Sequence, residues 1–164
     1  DGDNSGGTAP AGFIPPGSAE IEDVFESFYT SRGEPFQDSE FSGRSDYGPF
    51  IAVGIPAGGL FTGAEVPKTA DEAELYGGVA GAAYDPCYHQ FCDNLTGAGQ
   101  NAAIYALLRQ DYTLVGNINV HALDVNSDAI ATAVLTFAYD SSAVNAVAGK
   151  PGKSLGLYKP GATS

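Results

Sequence analysis

The alternation of helices with short apolar runs constrains the fold of this chain more than any other feature. The sequence predicts a first helix that begins with an N-cap serine at Ser18 and stops at Gly33. A short second helix follows Ser45, and a strand-like apolar stretch, IPAGGLF, begins at Ile55. Three side chains of the short helix are available for burial, namely Tyr47, Phe50 and Ile51. This order is typical of an α/β architecture.

A last long helix is predicted to be nucleated by Asp124, Asn126 or Ser127. It runs to Tyr139. The apolar runs of the chain supply only two or three strands, and a sheet that narrow would leave a long unpaired edge. We therefore expect an α/β fold with a partial mixed sheet flanked by helices, and further strands in sequence outside this chain.

Composition divides the chain into three parts. Residues 1–17 are rich in Gly, Pro and Ser and predict a connector, whereas residues 141–164 turn to Gly, Pro and Lys and predict a tail. The predicted helices and strands occupy residues 18–140, where residues 68–81 predict an exposed loop or a short surface helix. The chain has no methionine, and its loop-like start at Asp1 indicates that other sequence once preceded it.

The charge balance excludes two classes of partner. Twenty acidic and seven basic residues give a formal net charge of -13, which repels phosphate backbones and anionic lipid surfaces. No apolar run approaches the roughly 20 residues that cross a bilayer. We therefore expect neither nucleic acid nor a membrane as a partner.

The two cysteines, Cys87 and Cys92, are separated by four residues. A disulfide between them would close a small loop worth about 2 kcal/mol and would indicate an oxidising, extracellular setting. The alternative is a reduced intracellular metal pair, although the usual CxxC spacing and a second pair are both missing.

A histidine, His89, lies inside the segment that the cysteines would clamp, and Tyr88 precedes it. Neutral imidazole is a good zinc ligand, and a neighbouring tyrosine can donate a hydrogen bond to a developing oxyanion. The alternative for His89 is a surface or hydrogen-bonding role, because one ligand does not make a zinc site. The same surface role is expected for the second histidine, His121.

Two further segments offer residues for substrate binding. Arg44 follows a glycine at the start of a predicted helix and could orient a carbonyl or carboxylate, or instead form a salt bridge with Asp46. Phe61 lies among small residues that permit close backbone approach, so it could wall a pocket or belong to the core.

Four motifs together carry a resemblance to a known family. They are FSGRSDYGPF, GIPAGGLFTGAE, YDPCYHQFCDN and ALDVNSDAIA. In this order they resemble the secreted bacterial aminopeptidases of metallopeptidase family 28, which are dinuclear zinc exopeptidases with a phosphorylase/hydrolase-like fold. The likeness runs from about Asp1 to Tyr139, and it implies that residues 18–140 form the C-terminal half of the catalytic domain.

The resemblance implies a role for each candidate residue. His89 would be a zinc ligand, and Tyr88 would stabilise the tetrahedral intermediate. Arg44 and Phe61 would line the pocket for a peptide whose first residue, commonly large and apolar, is removed.

The resemblance also implies a disulfide between Cys87 and Cys92 and secretion from the cell. In some secreted relatives it implies a calcium site, to which Asp124 and Asp128 would contribute. Both aspartates would serve equally well as N-terminal helix caps.

The family's other zinc ligands and its glutamate base would lie before Asp1. We therefore expect the N-terminal half of the same enzyme as a partner, and no peptide hydrolysis by residues 1–164 alone. Residues 95–117, with the helical-looking NAAIYALLRQ, form an apparent insertion after His89. The competing interpretation is a non-catalytic binding or structural module that reuses the exopeptidase fold.

Overall fold

The computed structural model describes residues 2–7 and 9–145. Two compact units contain them: unit 1 holds the described parts of 1–28, 40–59 and 131–164, and unit 2 holds residues 29–39 and 60–130. The part of the predicted tail beyond residue 145 lies outside the described residues.

Helices dominate the described residues. In chain order they are α1 (Ser18–Arg32), α2 (Gly48–Ile51), α3 (Ala70–Tyr76), α4 (Ala102–Asp111), α5 (Val120–Tyr139) and α6 (Ser142–Asn145). The strands β1 (Leu114–Val115) and β2 (Ile118–Asn119) pair antiparallel, with Leu114 opposite Asn119. Within this part of the chain, no helix is both long enough and apolar enough to cross a membrane. The structure is mainly helical with one small sheet, which is compatible with part of an α/β domain.

Local signals place several helices where the sequence predicts them. Helix α1 ends before Gly33, whose φ of 68° is the left-handed conformation that glycine tolerates best. Helix α3 begins with a capping box in which Thr69 Oγ1 accepts from the Glu72 N–H while the Glu72 carboxylate accepts from the Thr69 N–H. Helix α4 is capped by Asn101. The first helix and the helical-looking stretch are therefore confirmed, and of the two alternatives for residues 68–81 the structure has the short surface helix.

Unit 1 has a small core. Phe41, Ile51 and Ala133 are buried, and the Phe41 ring packs 4.9 Å from the ring of Tyr47. Phe50 was predicted to be available for burial but is 54% exposed, because α2 is a single turn that can bury only one side. Ser18 is the first residue of α1 rather than its N-cap, and its hydroxyl accepts a hydrogen bond from the Ala57 N–H.

Two further predictions are wrong. The stretch that begins at Ile55 forms no strand among the described residues, because Pro56 lacks an N–H and no described segment pairs with it. Helix α5 starts at Val120, and the Asn119 side chain accepts from the Ala122 N–H at 3.2 Å. The expected nucleating residues, from Asp124 onward, therefore lie inside the helix instead of capping it.

The predicted mixed sheet is reduced, in the part of the chain that the structure describes, to the antiparallel pair β1 and β2. An isolated antiparallel bridge joins Pro67 to Ala83. Strands need partners for their backbone N–H and C=O groups, so a short apolar run without a described partner remains an extended loop.

Candidate functional site

The candidate site is built around the loop of residues 85–94, which we call the histidine loop. Cys87 and Cys92 are joined by a disulfide with their Cα atoms 5.3 Å apart, so the predicted disulfide is confirmed and the metal-pair alternative is wrong. Cys87 is buried in unit 2. The disulfide closes a loop that contains Tyr88 and His89.

Tyr88 and His89 form the tip of the histidine loop. Their rings stack with centroids 4.0 Å apart and an interplanar angle of 15°. His89 is exposed and has a φ of 55°, in the left-handed region that non-glycine residues seldom adopt. Such a conformation persists only where the surroundings impose it, and it is common at functional sites. The imidazole is thus held outward, where it can meet a ligand.

Backbone pairing joins the histidine loop to the segment that carries Phe61. The N–H of Asp85 donates to the carbonyl of Ala64 at 2.8 Å, and the N–H of Tyr84 donates to the carbonyl of Val66 at 2.9 Å. Phe61, a few residues earlier, is 58% exposed, so the core alternative for its ring does not apply. The structure brings these two predicted segments together within unit 2.

A network of side-chain hydrogen bonds joins Asp85 and Asp93 of the histidine loop to Asn117. This network was not predicted from the sequence. Asp85 Oδ1 accepts from the Cys87 N–H at 2.8 Å and from Asn117 Nδ2 at 3.0 Å. The same Nδ2 donates to Asp93 Oδ1 at 3.0 Å. The only hint in the sequence is that Asp85 and Asp93 flank the cysteines; nothing in the sequence links them to Asn117.

Tyr105 of α4 completes the network. Its hydroxyl donates to Asn117 Oδ1 at 2.5 Å, and its side chain is the largest fully buried one among the described residues. Burial raises the pKa of Tyr105 to about 12, with smaller contributions from the charges of Asp85 and Asp93. The phenol therefore stays protonated and remains a hydrogen-bond donor at neutral pH.

Lys68 is a second buried polar residue that the sequence does not reveal. It is 4% exposed, its Nζ donates to the Gly77 carbonyl at 2.8 Å, and it lies 5.4 Å from the centre of the Tyr84 ring. Burial lowers the pKa of Lys68, and the charges of Asp111 and Glu72 oppose that shift. The lysine ties the end of α3 to the segment that leads into the histidine loop.

The remaining predicted residues lie elsewhere. Arg44 belongs to unit 1, where its side chain is exposed and its N–H donates to Ser42 Oγ at 3.4 Å. His121 Nε2 lies 3.0 Å from Glu34 Oε2, which confirms the surface role expected for it. Asp124 and Asp128 are exposed on α5, and Asp128 forms an ion pair with Arg32 at 3.3 Å.

The predicted metal ligands are His89 for zinc and Asp124 and Asp128 for calcium. His89 offers an exposed imidazole, which suits zinc. Among the residues that the structure describes, no group of three converging His, Cys, Asp or Glu side chains includes His89, Asp124 or Asp128. His89 therefore fits zinc as one ligand of a set, and the set needs two or three more donors.

Comparison with known proteins defines the class to which this fold and loop belong. Residues 2–110 match Peptidase family M28, and the chain belongs to that family. It is 48% identical over 124 residues to a probable leucine aminopeptidase 2 from Aspergillus fumigatus, and 44% identical over 117 residues to an aminopeptidase from Pseudomonas aeruginosa.

A third relative, leucine aminopeptidase 2 from Trichophyton rubrum, is 45% identical over 124 residues. The alignments with the two fungal proteins cover 76% of this chain and 21% of each relative; the bacterial one covers 71% and 18%. The chain thus spans about a fifth of the length of the curated relatives it matches.

Proposed function

We propose that this chain is part of a secreted, zinc-dependent aminopeptidase that removes N-terminal residues, preferentially large apolar ones, from peptides. The observation that carries the proposal is the histidine loop, in which a disulfide and a left-handed backbone hold the His89 imidazole outward beside Tyr88. Membership of a peptidase family and the names of the relatives support it.

His89 would be one zinc ligand. Imidazole is a common zinc ligand, and the closed loop limits the entropy lost when the ligand is ordered. When bound, zinc would act as a Lewis acid on the peptide carbonyl. The second zinc and the remaining ligands would come from the N-terminal half of the same enzyme, which we propose as the partner of residues 1–164.

Tyr88 would donate its phenolic hydrogen to the carbonyl oxygen of the substrate as negative charge develops there. The Tyr88 ring stacks on the His89 ring, so its hydroxyl would be close to a carbonyl bound at the same metal. Arg44 would orient a substrate carbonyl or carboxylate, and the exposed ring of Phe61 would wall the pocket for the apolar first residue.

Secretion is part of the proposal because the Cys87–Cys92 disulfide is stable in oxidising compartments. A calcium site near Asp124 and Asp128 is a further proposal; both carboxylates are exposed and one helical turn apart, and they would need ligands from elsewhere. Without the partner half, residues 1–164 are expected to be inactive, since they supply one zinc ligand and no general base.

The test compares two histidine variants of the full-length protein, His89→Ala and His121→Ala. Both residues are exposed, so each substitution removes one surface imidazole at little cost in stability. Zinc content and leucyl-p-nitroanilide hydrolysis are measured for both and for the wild type. We expect His89→Ala to lower hydrolysis by more than about a hundredfold, beyond the roughly 10–100-fold loss seen when residues that only orient a ligand are changed.

His121→Ala should keep the zinc content and the activity of the wild type. A wild-type protein with no zinc and no hydrolysis, or a His89→Ala variant as active as the wild type, would overturn the proposal. The first of these results would favour a non-catalytic binding module.

A further inference from the structure

The histidine loop needs support that its own residues do not provide. The disulfide fixes the distance between Cys87 and Cys92, but His89 still has to remain at a φ of 55°, a left-handed conformation that non-glycine residues seldom adopt. Within the loop, the Gln90 N–H donates to the Cys87 carbonyl at 2.9 Å and the Asp93 N–H donates to the Gln90 carbonyl at 3.0 Å, closing successive turns. Outside the loop, backbone hydrogen bonds join its start to Ala64 at 2.8 Å and its end to Asn117 at 2.9 Å, and side chains add to these contacts.

One side-chain amide contacts both ends of the loop. Asn117 Nδ2 donates one hydrogen to Asp85, at the start of the loop, and one to Asp93, near its end, each at 3.0 Å. Asp85 in turn is bonded to the residues beside His89. The same carboxylate oxygen accepts the Cys87 N–H, and the Asp85 carbonyl accepts the Tyr88 N–H at 3.2 Å. Both hydrogens of the amide are thus used on the loop.

The two aspartates determine which way the amide of Asn117 faces. Carboxylates only accept hydrogen bonds, so the nitrogen must face them and the oxygen must face the tyrosine hydroxyl, which donates to it at 2.5 Å. Tyr105 is 1% exposed, so its hydroxyl is buried. The buried phenol therefore supplies the donor that the amide oxygen needs in this orientation.

The backbone around Asn117 lies directly against the loop. The Asn117 N–H donates to the Asn94 carbonyl at 2.9 Å. Gly116 has a φ of 57°, and a Cβ built there would lie 2.1 Å from the Asn94 oxygen, so only glycine allows this approach. The turn between β1 and β2 and helix α4 thus converge on the base of the histidine loop.

We propose that Asn117, hydrogen-bonded to the buried Tyr105, is a positioning residue that holds Tyr88 and His89 in the geometry needed for zinc and substrate, an inference that rests on the proposed function. Residues 95–117, which the sequence marks only as an apparent insertion, thereby gain a role as the support of the histidine loop. Asn117 would touch neither the zinc ion nor the peptide and would act through Asp85 and Asp93.

The experiment uses full-length protein with Asn117→Ala, and Asn119→Ala as its matched control. The control removes an asparagine two residues away whose side chain caps α5 and makes no described contact with the histidine loop. Amide hydrogen exchange over residues 85–94 is measured in metal-free protein, and zinc affinity is measured by competition with a chelator. Tyr105→Phe, which deletes one hydroxyl group, gives a second and milder test.

We expect Asn117→Ala to speed loop exchange by about tenfold or more and to weaken zinc binding roughly 10–100-fold. Tyr105→Phe should change both quantities in the same direction by a smaller factor, and Asn119→Ala should leave both within about twofold of the wild type. A merely structural loss would affect Asn119→Ala and Asn117→Ala alike.

The inference is overturned if loop exchange and zinc affinity in Asn117→Ala match those of Asn119→Ala. If Asn117→Ala does not fold, Tyr105→Phe provides the test. The inference is then overturned if loop exchange and zinc affinity in Tyr105→Phe match those of the wild type. Failure of the proposed function is a different result, because the wild-type protein itself would then bind no zinc.

Discussion

Replacing Gly116 with alanine should destabilise the protein far more than the same change at Gly33. Both glycines have a left-handed φ, 57° and 68°, so the backbone penalty for an L-residue, about 1–2 kcal/mol, is common to both sites. They differ in their surroundings: a Cβ at Gly33 meets no atom within 4 Å, whereas a Cβ at Gly116 meets backbone atoms of Asn94 and Leu95 at 2.1 and 2.4 Å.

The excess cost follows from those contacts. Backbone atoms cannot rotate away as a flexible side chain does, so the turn must move off the histidine loop. That movement adds an overpacking cost of about 1–3 kcal/mol and loses the hydrogen bond from Asn117 to Asn94, worth about 0.5–1.5 kcal/mol. Gly116→Ala should therefore cost about 1.5–4.5 kcal/mol more than Gly33→Ala.

The assay is urea denaturation of the full-length variants, followed by circular dichroism, with the free energy of unfolding taken by linear extrapolation. Equal destabilisation by the two substitutions would refute the reasoning, because it would show that the turn at Gly116 does not press on the histidine loop.

Two further predictions concern the supports of unit 2. The pKa of Glu72 is lowered to about 2, first by the hydrogen bond from the Thr69 N–H and then by that from Gln37, so its stabilisation is present above about pH 4.5 and is lost as the pH falls toward 2. In Glu72→Gln the urea midpoint should therefore fall less steeply between pH 4.5 and about 2 than in the wild type, whereas the control Glu74→Gln, on the same helix, should behave like the wild type. Equal pH dependence of the midpoint in the two variants would contradict the assignment of this stabilisation to Glu72. Replacing Cys87 and Cys92 with serine should lower the free energy of unfolding by about 2 kcal/mol, as estimated for so small a loop, and an unchanged urea midpoint would refute that estimate.

Features that depend on neighbouring residues could be predicted from the sequence. The end of α1 at Gly33 and the helix α4 follow from signals a few residues long. The disulfide between Cys87 and Cys92 could be proposed because closing so short a loop costs little chain entropy. The family resemblance also rested on short motifs, and the match over residues 2–110 confirms it.

Features that depend on distant residues could not be predicted. Whether the run from Ile55 becomes a strand depends on a partner, and the described residues supply none. The start of α5 is set by the turn between β1 and β2, which places Asn119 as its cap ahead of the aspartates that look like caps in the sequence.

The candidate site shows the same division. Tyr88 and His89 could be chosen as candidate site residues from the sequence, because they lie within one short motif. The contacts that hold their loop are visible only in the folded structure, since Asn117 is 32 positions from Asp85 and 24 from Asp93. Hydrogen bonds over such separations leave no periodic or local trace in a sequence; they exist only after folding has brought the buried Tyr105 and the turn at Gly116 beneath the histidine loop.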